Sequence, residues 1–133
     1  AADAEDLNQS DFSFAALETS TSQEFVEKNL PDGKLVKIKD YDEGVKMVLD
    51  GKVDAMVADM PICVLSVLRY PDAGLTTLKR PMTVEPVGIV VPSSDPQLLT
   101  LLDNYLEALE GMGYMAELRK VWLQDGSWIA ALP

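Results

Sequence analysis

Over its first two-thirds, the chain alternates between short apolar runs and segments whose apolar residues recur every three or four positions. Three runs predict strands: Phe12–Leu17, Leu35–Lys39 and Val53–Ala58. Strands that alternate with helices of about ten residues build βαβ units, so we expect an α/β fold with a mostly parallel sheet. The third run has almost no polar residue, which predicts a central strand buried on both faces.

Polar residues stand where two of these strands give way to helices. Thr19–Thr21 follow the first strand and Asp59 follows the third. In a parallel sheet the carboxyl ends of strands and the amino ends of helices share one edge, so we expect these residues to share it. Thr21 and Glu24 have the spacing of a capping box, which predicts a helix beginning there. The same helix end, with its exposed N–H groups and positive dipole, also suits an anion.

The alternation stops after Gly74. Leu75–Leu78 and Val87–Val91 both predict strands, with no helix between them. Asp95 followed by Pro96 predicts the start of a strong helix, because Asp is a good N-cap and Pro suits the first turn. The apolar stripe of this helix and a last helix follow at residues 98–109 and 114–122.

Composition excludes several classes of protein. The net charge of −11 opposes nonspecific binding to nucleic acid. The chain has no His, which excludes His-based triads and His metal sites, and its single cysteine, Cys63, excludes an internal disulfide. Cys63 falls on a helical apolar stripe and is expected to be an inert core thiol. Ala1–Asp11 carries four carboxylates and no basic residue, unlike the start of a signal peptide.

Four segments together resemble a known family. They are TSTSQEFVEKNLP, the stretch from Tyr41 to Pro61 with its GKVDAMVAD core, EPVGIVVPSSDPQLL, and LEALEGMGYMAELRKVW. In this order they are similar to the bacterial extracellular solute-binding proteins of family 3, the polar-amino-acid receptors of ABC transporters. The resemblance covers about Phe12 to Trp122.

The resemblance implies a type II periplasmic-binding clamshell that holds its ligand between two lobes. Residues 1–11 then read as a linker, residues 12–84 as lobe two, and residues 85–133 as the hinge and the C-terminal part of lobe one. The first half of lobe one has no counterpart in this chain.

The resemblance also implies a set of ligand-binding residues. Ser20 and Thr21 match hydroxyl positions that, with backbone N–H groups, take the ligand's α-carboxylate. Thr19 stands where the family usually has Gly, and a β-branched residue resists a positive φ there. Asp59 matches the acceptor of the α-ammonium group, although it also suits a helix cap. Glu85, at the hinge, is expected to line the cleft.

The resemblance therefore predicts a receptor that captures an amino acid or similar zwitterion outside the cytoplasm and presents it to a membrane permease, with no cofactor, no metal and no nucleic-acid partner. Two alternatives stay open: a sensing domain of a membrane signalling protein, and a degenerate module that binds no amino acid. Without His or an evident nucleophile–base pair, an enzyme is disfavoured. Gly88–Val91 and the leucine stripe from Leu98 to Leu109 predict self-association. A swapped dimer would cover them, and a tail that folds back on its own lobe is the alternative.

Overall fold

Three parallel strands form the sheet in the computed structural model, which describes residues 7–78, 81–84 and 87–131. The strands are β1 (Ser13–Leu17), β2 (Lys34–Ile38) and β3 (Ala55–Val57), and the helices that follow them are α1 (Thr21–Asn29), α2 (Tyr41–Leu49) and α3 (Met60–Arg69). Two further helices, α4 (Pro96–Gly111) and α5 (Tyr114–Leu123), precede a short 3₁₀ helix (Gly126–Ala131). The chain divides into two compact units between Met82 and Thr83.

The sheet has the strand order β2-β1-β3, and both strand pairs are parallel. The α/β fold with a parallel sheet is therefore confirmed. The prediction that the third strand is central is wrong, because β1 lies between the other two and its residues Phe14, Ala15 and Ala16 are fully buried. The predicted burial on both faces is also not observed, because Ala55, Met56 and Val57 of β3 are only half-buried at the edge of the described sheet.

Two apolar clusters form the core, one on each face of the sheet. Phe14, Val26 and Leu30 make the cluster on the α1 face. Ala15, Ile38 and Val53 make the other, with the α2 residues Met47 and Val48 packed against them. Gly44 brings α2 close to the sheet: a Cβ at this position would lie 2.5 Å from Ile38 Cδ1 and 2.6 Å from Met56 Sδ.

The helix starts follow local capping chemistry. Asp40 caps α2 by accepting from Glu43 N–H at 2.8 Å, and Asp95 caps α4 by accepting from Leu98 N–H at 2.9 Å. The start of α1 differs from the prediction by one residue, because Ser20 and not Thr21 is the N-cap. Ser20 Oγ accepts from the N–H of Gln23, so the residue at the third helical position of the capping box is Gln23 and not Glu24.

Residues 7–11, predicted to be part of a linker, contact the first unit. Leu7 packs against the α1-face cluster, and Asn8 exchanges hydrogen bonds with the backbone N–H and the carboxylate of Asp32. Residues 1–6 lie outside the described part, and the linker assignment of residues 1–11 stays a prediction.

Two predicted strands near the boundary of the two units are not formed, and the regular elements described in the second unit are all helices. The predicted strands Leu75–Leu78 and Val87–Val91 are both wrong, because neither segment is a strand in the structure. Val87 and Val90 are 99% and 97% exposed, and strand propensity acts through packing on a covered surface that these residues lack. Among the described residues, no helix is long and apolar enough to cross a membrane.

Candidate ligand-binding site

Three turns lie at the carboxyl edge of the sheet, one after each strand. Thr19 and Ser20 follow β1, Lys39 and Asp40 follow β2, and Ala58 and Asp59 follow β3. Because all three strands run the same way, the structure brings Thr19, Ser20 and Asp59 to one edge.

Thr19 is in the left-handed region, with φ of +61°. A residue with a Cβ pays about 1–2 kcal/mol for this conformation, which Gly adopts without cost. Thr19 N–H donates to Gln23 Oε1 at 2.8 Å, and its hydroxyl donates to Glu18 O at 2.7 Å. The backbone therefore follows the path that a Gly would favour here, although the residue is β-branched.

Ser20 uses its hydroxyl within the chain. Oγ donates to Leu17 O at 2.7 Å and accepts from Gln23 N–H at 3.2 Å. The capping alternative is thus what the structure shows for this side chain. Thr21, which is exposed, and Ser22, which is buried, follow as the first two residues of α1, at the positive end of the helix dipole.

Asp59 stands at the N-cap position of α3, but its side chain makes no capping hydrogen bond. Its carbonyl accepts from Cys63 N–H at 3.1 Å, while the residue itself is exposed. The helix-cap alternative is therefore not realised by the Asp59 carboxylate. This leaves the carboxylate available for a cationic group at the carboxyl edge.

The charge of Asp59 reaches two neighbouring side chains. Burial raises the pKa of Tyr41, and the negative charge of Asp59 adds to the rise. Burial also raises the pKa of Cys63, whose Sγ donates to Ala58 O at 3.5 Å. A half-buried thiol with a raised pKa is poorly reactive, which fits the inert thiol expected from the sequence.

Glu85 lies outside the described residues.

Two residues at this edge were not among the predicted site residues. Tyr41 begins α2, is half-buried, and shares the edge because β2 ends just before it. Gln23 contacts the Thr19 turn. Its spacing of three residues from Ser20 is the available signal, since the third helical position after a hydroxyl cap favours Glu or Gln.

No protein-family model matches the sequence. The chain is 24% identical over 110 residues to the ABC transporter glutamine-binding protein GlnH of Bacillus subtilis strain 168, covering 83% of this chain and 40% of GlnH. An ancestral cationic amino acid solute-binding protein superposes with a TM-score of 0.77 at 29% identity, covering 90% of this chain and 51% of that one. The chain therefore has the type II periplasmic-binding-protein fold and is similar in sequence to amino-acid-binding proteins of this fold.

A third relative comes from Wolinella succinogenes. It is a candidate binding component of an ABC transporter in complex with lysine, with a TM-score of 0.80 and 25% identity over 95% of this chain and 54% of that one. The chain spans about half the length of these solved relatives and 40% of the curated one.

Proposed function

We propose that this chain binds a polar α-amino acid at the carboxyl edge of its sheet, as part of the receptor component of an ABC transporter. The observation that carries the proposal is the pairing of two groups at that edge. The Asp59 carboxylate follows β3 and makes no capping hydrogen bond, and α1 begins just after the neighbouring strand β1. An α-amino acid needs an acidic acceptor for its ammonium group and N–H donors for its carboxylate.

The carboxylate of the ligand is assigned to the start of α1. The first N–H groups of a helix point along its axis, and the helix dipole adds about half a positive charge at this end. The Thr19 turn supports this assignment, because its positive φ keeps the Gly-like path in spite of the substitution. This argues against the degenerate module.

The ammonium of the ligand is assigned to Asp59. The carboxylate is exposed, so water competes for it until a second wall excludes solvent. We assign residues 12–84 to lobe two, residues 85–133 to the hinge and part of lobe one, and Glu85 to the lining of the cleft. A clamshell closes two such walls on its ligand.

The transport role rests on the relatives. GlnH is a glutamine-binding protein of an ABC transporter, and the solved relatives are described as a cationic amino acid-binding protein and as a transporter component with lysine. We therefore propose a membrane permease as the partner and a periplasmic or membrane-tethered extracellular location. With no His in the chain, we propose binding without catalysis.

The test is a titration of the chain with L-lysine and L-glutamine at up to millimolar concentration, with the NMR chemical shifts of the backbone amides as the readout. We expect shifts at residues 20–22 and 59, and a loss of binding of about tenfold or more in Asp59→Asn, because a charged hydrogen-bond partner is removed. Asp72→Asn is the matched control, since Asp72 lies in the turn after α3, at the opposite end of that helix.

ε-Aminocaproate, which is lysine without its α-ammonium, separates the two halves of the site. It should bind more weakly than L-lysine and should be insensitive to Asp59→Asn. Equal binding of both compounds, or unchanged L-lysine affinity in Asp59→Asn, would contradict the role of Asp59.

A further inference from the structure

The Gln23 side chain belongs to a chain of hydrogen bonds that runs from β2 through α1 to the turn after β1. Its Oε1 accepts from Thr19 N–H at 2.8 Å, and its Nε2 donates to Glu27 Oε1 at 2.9 Å. Glu27 Oε1 also pairs with Lys37 Nζ on β2 at 3.2 Å. The hydrogen bonds from Lys37 and then Gln23 lower the pKa of Glu27, so this carboxylate is ionised at neutral pH.

These partners fix the orientation of the Gln23 amide. An amide has one donor end and one acceptor end, an ionised carboxylate only accepts, and a backbone N–H only donates. Only one of the two flip states satisfies both Glu27 and Thr19. Glu27, held in turn by Lys37, therefore directs the Gln23 carbonyl toward the turn.

Thr19 is the residue that needs support, because a β-branched side chain disfavours its φ of +61°. Its hydroxyl bond to Glu18 O joins neighbours in the chain, whereas the Gln23 bond ties the turn to α1. Strained backbone of this kind persists where surrounding contacts enforce it, and it concentrates at functional sites.

We infer that Gln23 is a positioning residue of the proposed amino-acid site. It holds Thr19 in the left-handed conformation, so that the first N–H groups of α1, which begin two residues later, face the carboxyl edge. The inference rests on the proposed function for its ligand, while its geometry can be measured without one.

Gln23→Ala removes the acceptor for Thr19 N–H, and Gln23→Glu keeps it. Asn29→Ala is the matched control, because Asn29 is another amide of α1 and donates to Phe25 O at 3.0 Å without touching the turn. We expect hydrogen exchange of the Thr19 amide to accelerate by about tenfold in Gln23→Ala, as one hydrogen bond is lost. Gln23→Glu keeps an acceptor but cannot donate to Glu27 and repels it, so it should restore only part of the protection. Asn29→Ala should leave Thr19 exchange unchanged while lowering stability to a similar extent.

A second experiment measures the binding of L-lysine and L-glutamine to the same chain and its variants. Gln23→Ala should weaken binding by about fivefold, but by less than about twofold in the Thr19→Gly background, because Gly reaches a positive φ without help. A residue that acted only on helix stability would give equal losses in both backgrounds.

The outcomes separate the two claims. Unchanged Thr19 exchange in Gln23→Ala, or equal binding losses with and without Thr19→Gly, overturns the role of Gln23. Absence of any ligand-induced shift in the wild-type chain overturns the proposed function instead, and Thr19 exchange then decides alone whether Gln23 positions the turn.

Discussion

Ser13 gives both its backbone N–H and its hydroxyl to one carboxylate oxygen of Asp54, at 2.8 and 2.6 Å. Asp54 N–H donates in return to Ser13 O at 3.0 Å. The contact joins the start of β1 to the residue just before β3, although the two residues are 41 positions apart. The hydrogen bond from the Ser13 hydroxyl has the larger effect and the bond from its N–H the next largest. Both favour the ionised carboxylate and lower the pKa of Asp54.

We expect Asp54→Ala to lower the free energy of unfolding at neutral pH and to lose this effect in acid. The pKa of Asp54 in the folded chain lies below its ordinary value of 3.8. Its stabilisation is therefore complete above that pH and is lost as the pH falls through the folded pKa. Urea unfolding of wild type and variant from neutral pH into strong acid measures the difference. Asp72→Ala is the exposed control, and a difference for Asp54→Ala that stays constant with pH would contradict the linkage.

The core of the first unit depends on Phe14. Its ring is fully buried between β1 and α1, with the Phe12 ring 4.9 Å away, centroid to centroid. Phe14→Ala should cost about 3–5 kcal/mol, because it removes a large buried side chain and leaves a cavity. Phe12→Ala is the matched control and should cost less, since Phe12 is only half-buried. Urea unfolding followed by circular dichroism checks the order, and an equal cost at both positions would contradict it.

Much of the first unit could be predicted from the sequence, because its elements are defined by local signals. The apolar runs Phe12–Leu17, Leu35–Lys39 and Val53–Ala58 placed its three strands, and in the second unit Asp95 with Pro96 placed the start of α4. The central strand could not be predicted, because strand order depends on which crossover each helix makes, and both Ala15 and Met56 lie in apolar runs. The predicted strand at Val87–Val91 failed because a strand needs a neighbour, which propensity cannot supply.

The candidate site divides in the same way. The shared edge of Ser20 and Asp59 could be predicted, because it follows from parallel strands alone. The role of Gln23 could not, because it depends on a side chain that turns back toward Thr19 and on the partner that Lys37 offers from another strand. Such contacts depend on tertiary geometry, whereas the spacing of Ser20 and Gln23 indicates only a cap.

The strain at Thr19 can be measured as a difference in the free energy of unfolding between two variants. Thr19→Gly and Thr19→Ala both remove the hydroxyl, but only Ala keeps a Cβ at a positive φ. We therefore expect Thr19→Gly to be more stable than Thr19→Ala by about 1 kcal/mol in urea unfolding. Thr77 is the matched control, because its φ is not positive, and there Gly should be the less stable of the pair. The same order at both positions would show that Thr19 is not strained.

The exposed apolar side chains of α4 predict self-association of the chain. Four large apolar side chains of this helix are between 39% and 65% exposed: Leu99, Leu101, Tyr105 and Leu106. Val87 and Val90 add to the exposed apolar surface of the same unit. Exposed apolar surface favours association, so light scattering should give a mass above 14.5 kDa that rises with concentration.

Leu101→Glu should shift this mass toward the monomer, because it replaces an exposed apolar side chain, one turn before exposed Tyr105, with a charge. Thr100→Glu is the matched control, since it adds the same charge at the neighbouring exposed position of α4. If both variants reduce the mass equally, net repulsion and not the stripe explains the change, because the chain already carries a charge of −11. A wild-type mass of 14.5 kDa at high concentration would mean that the exposed stripe does not drive association.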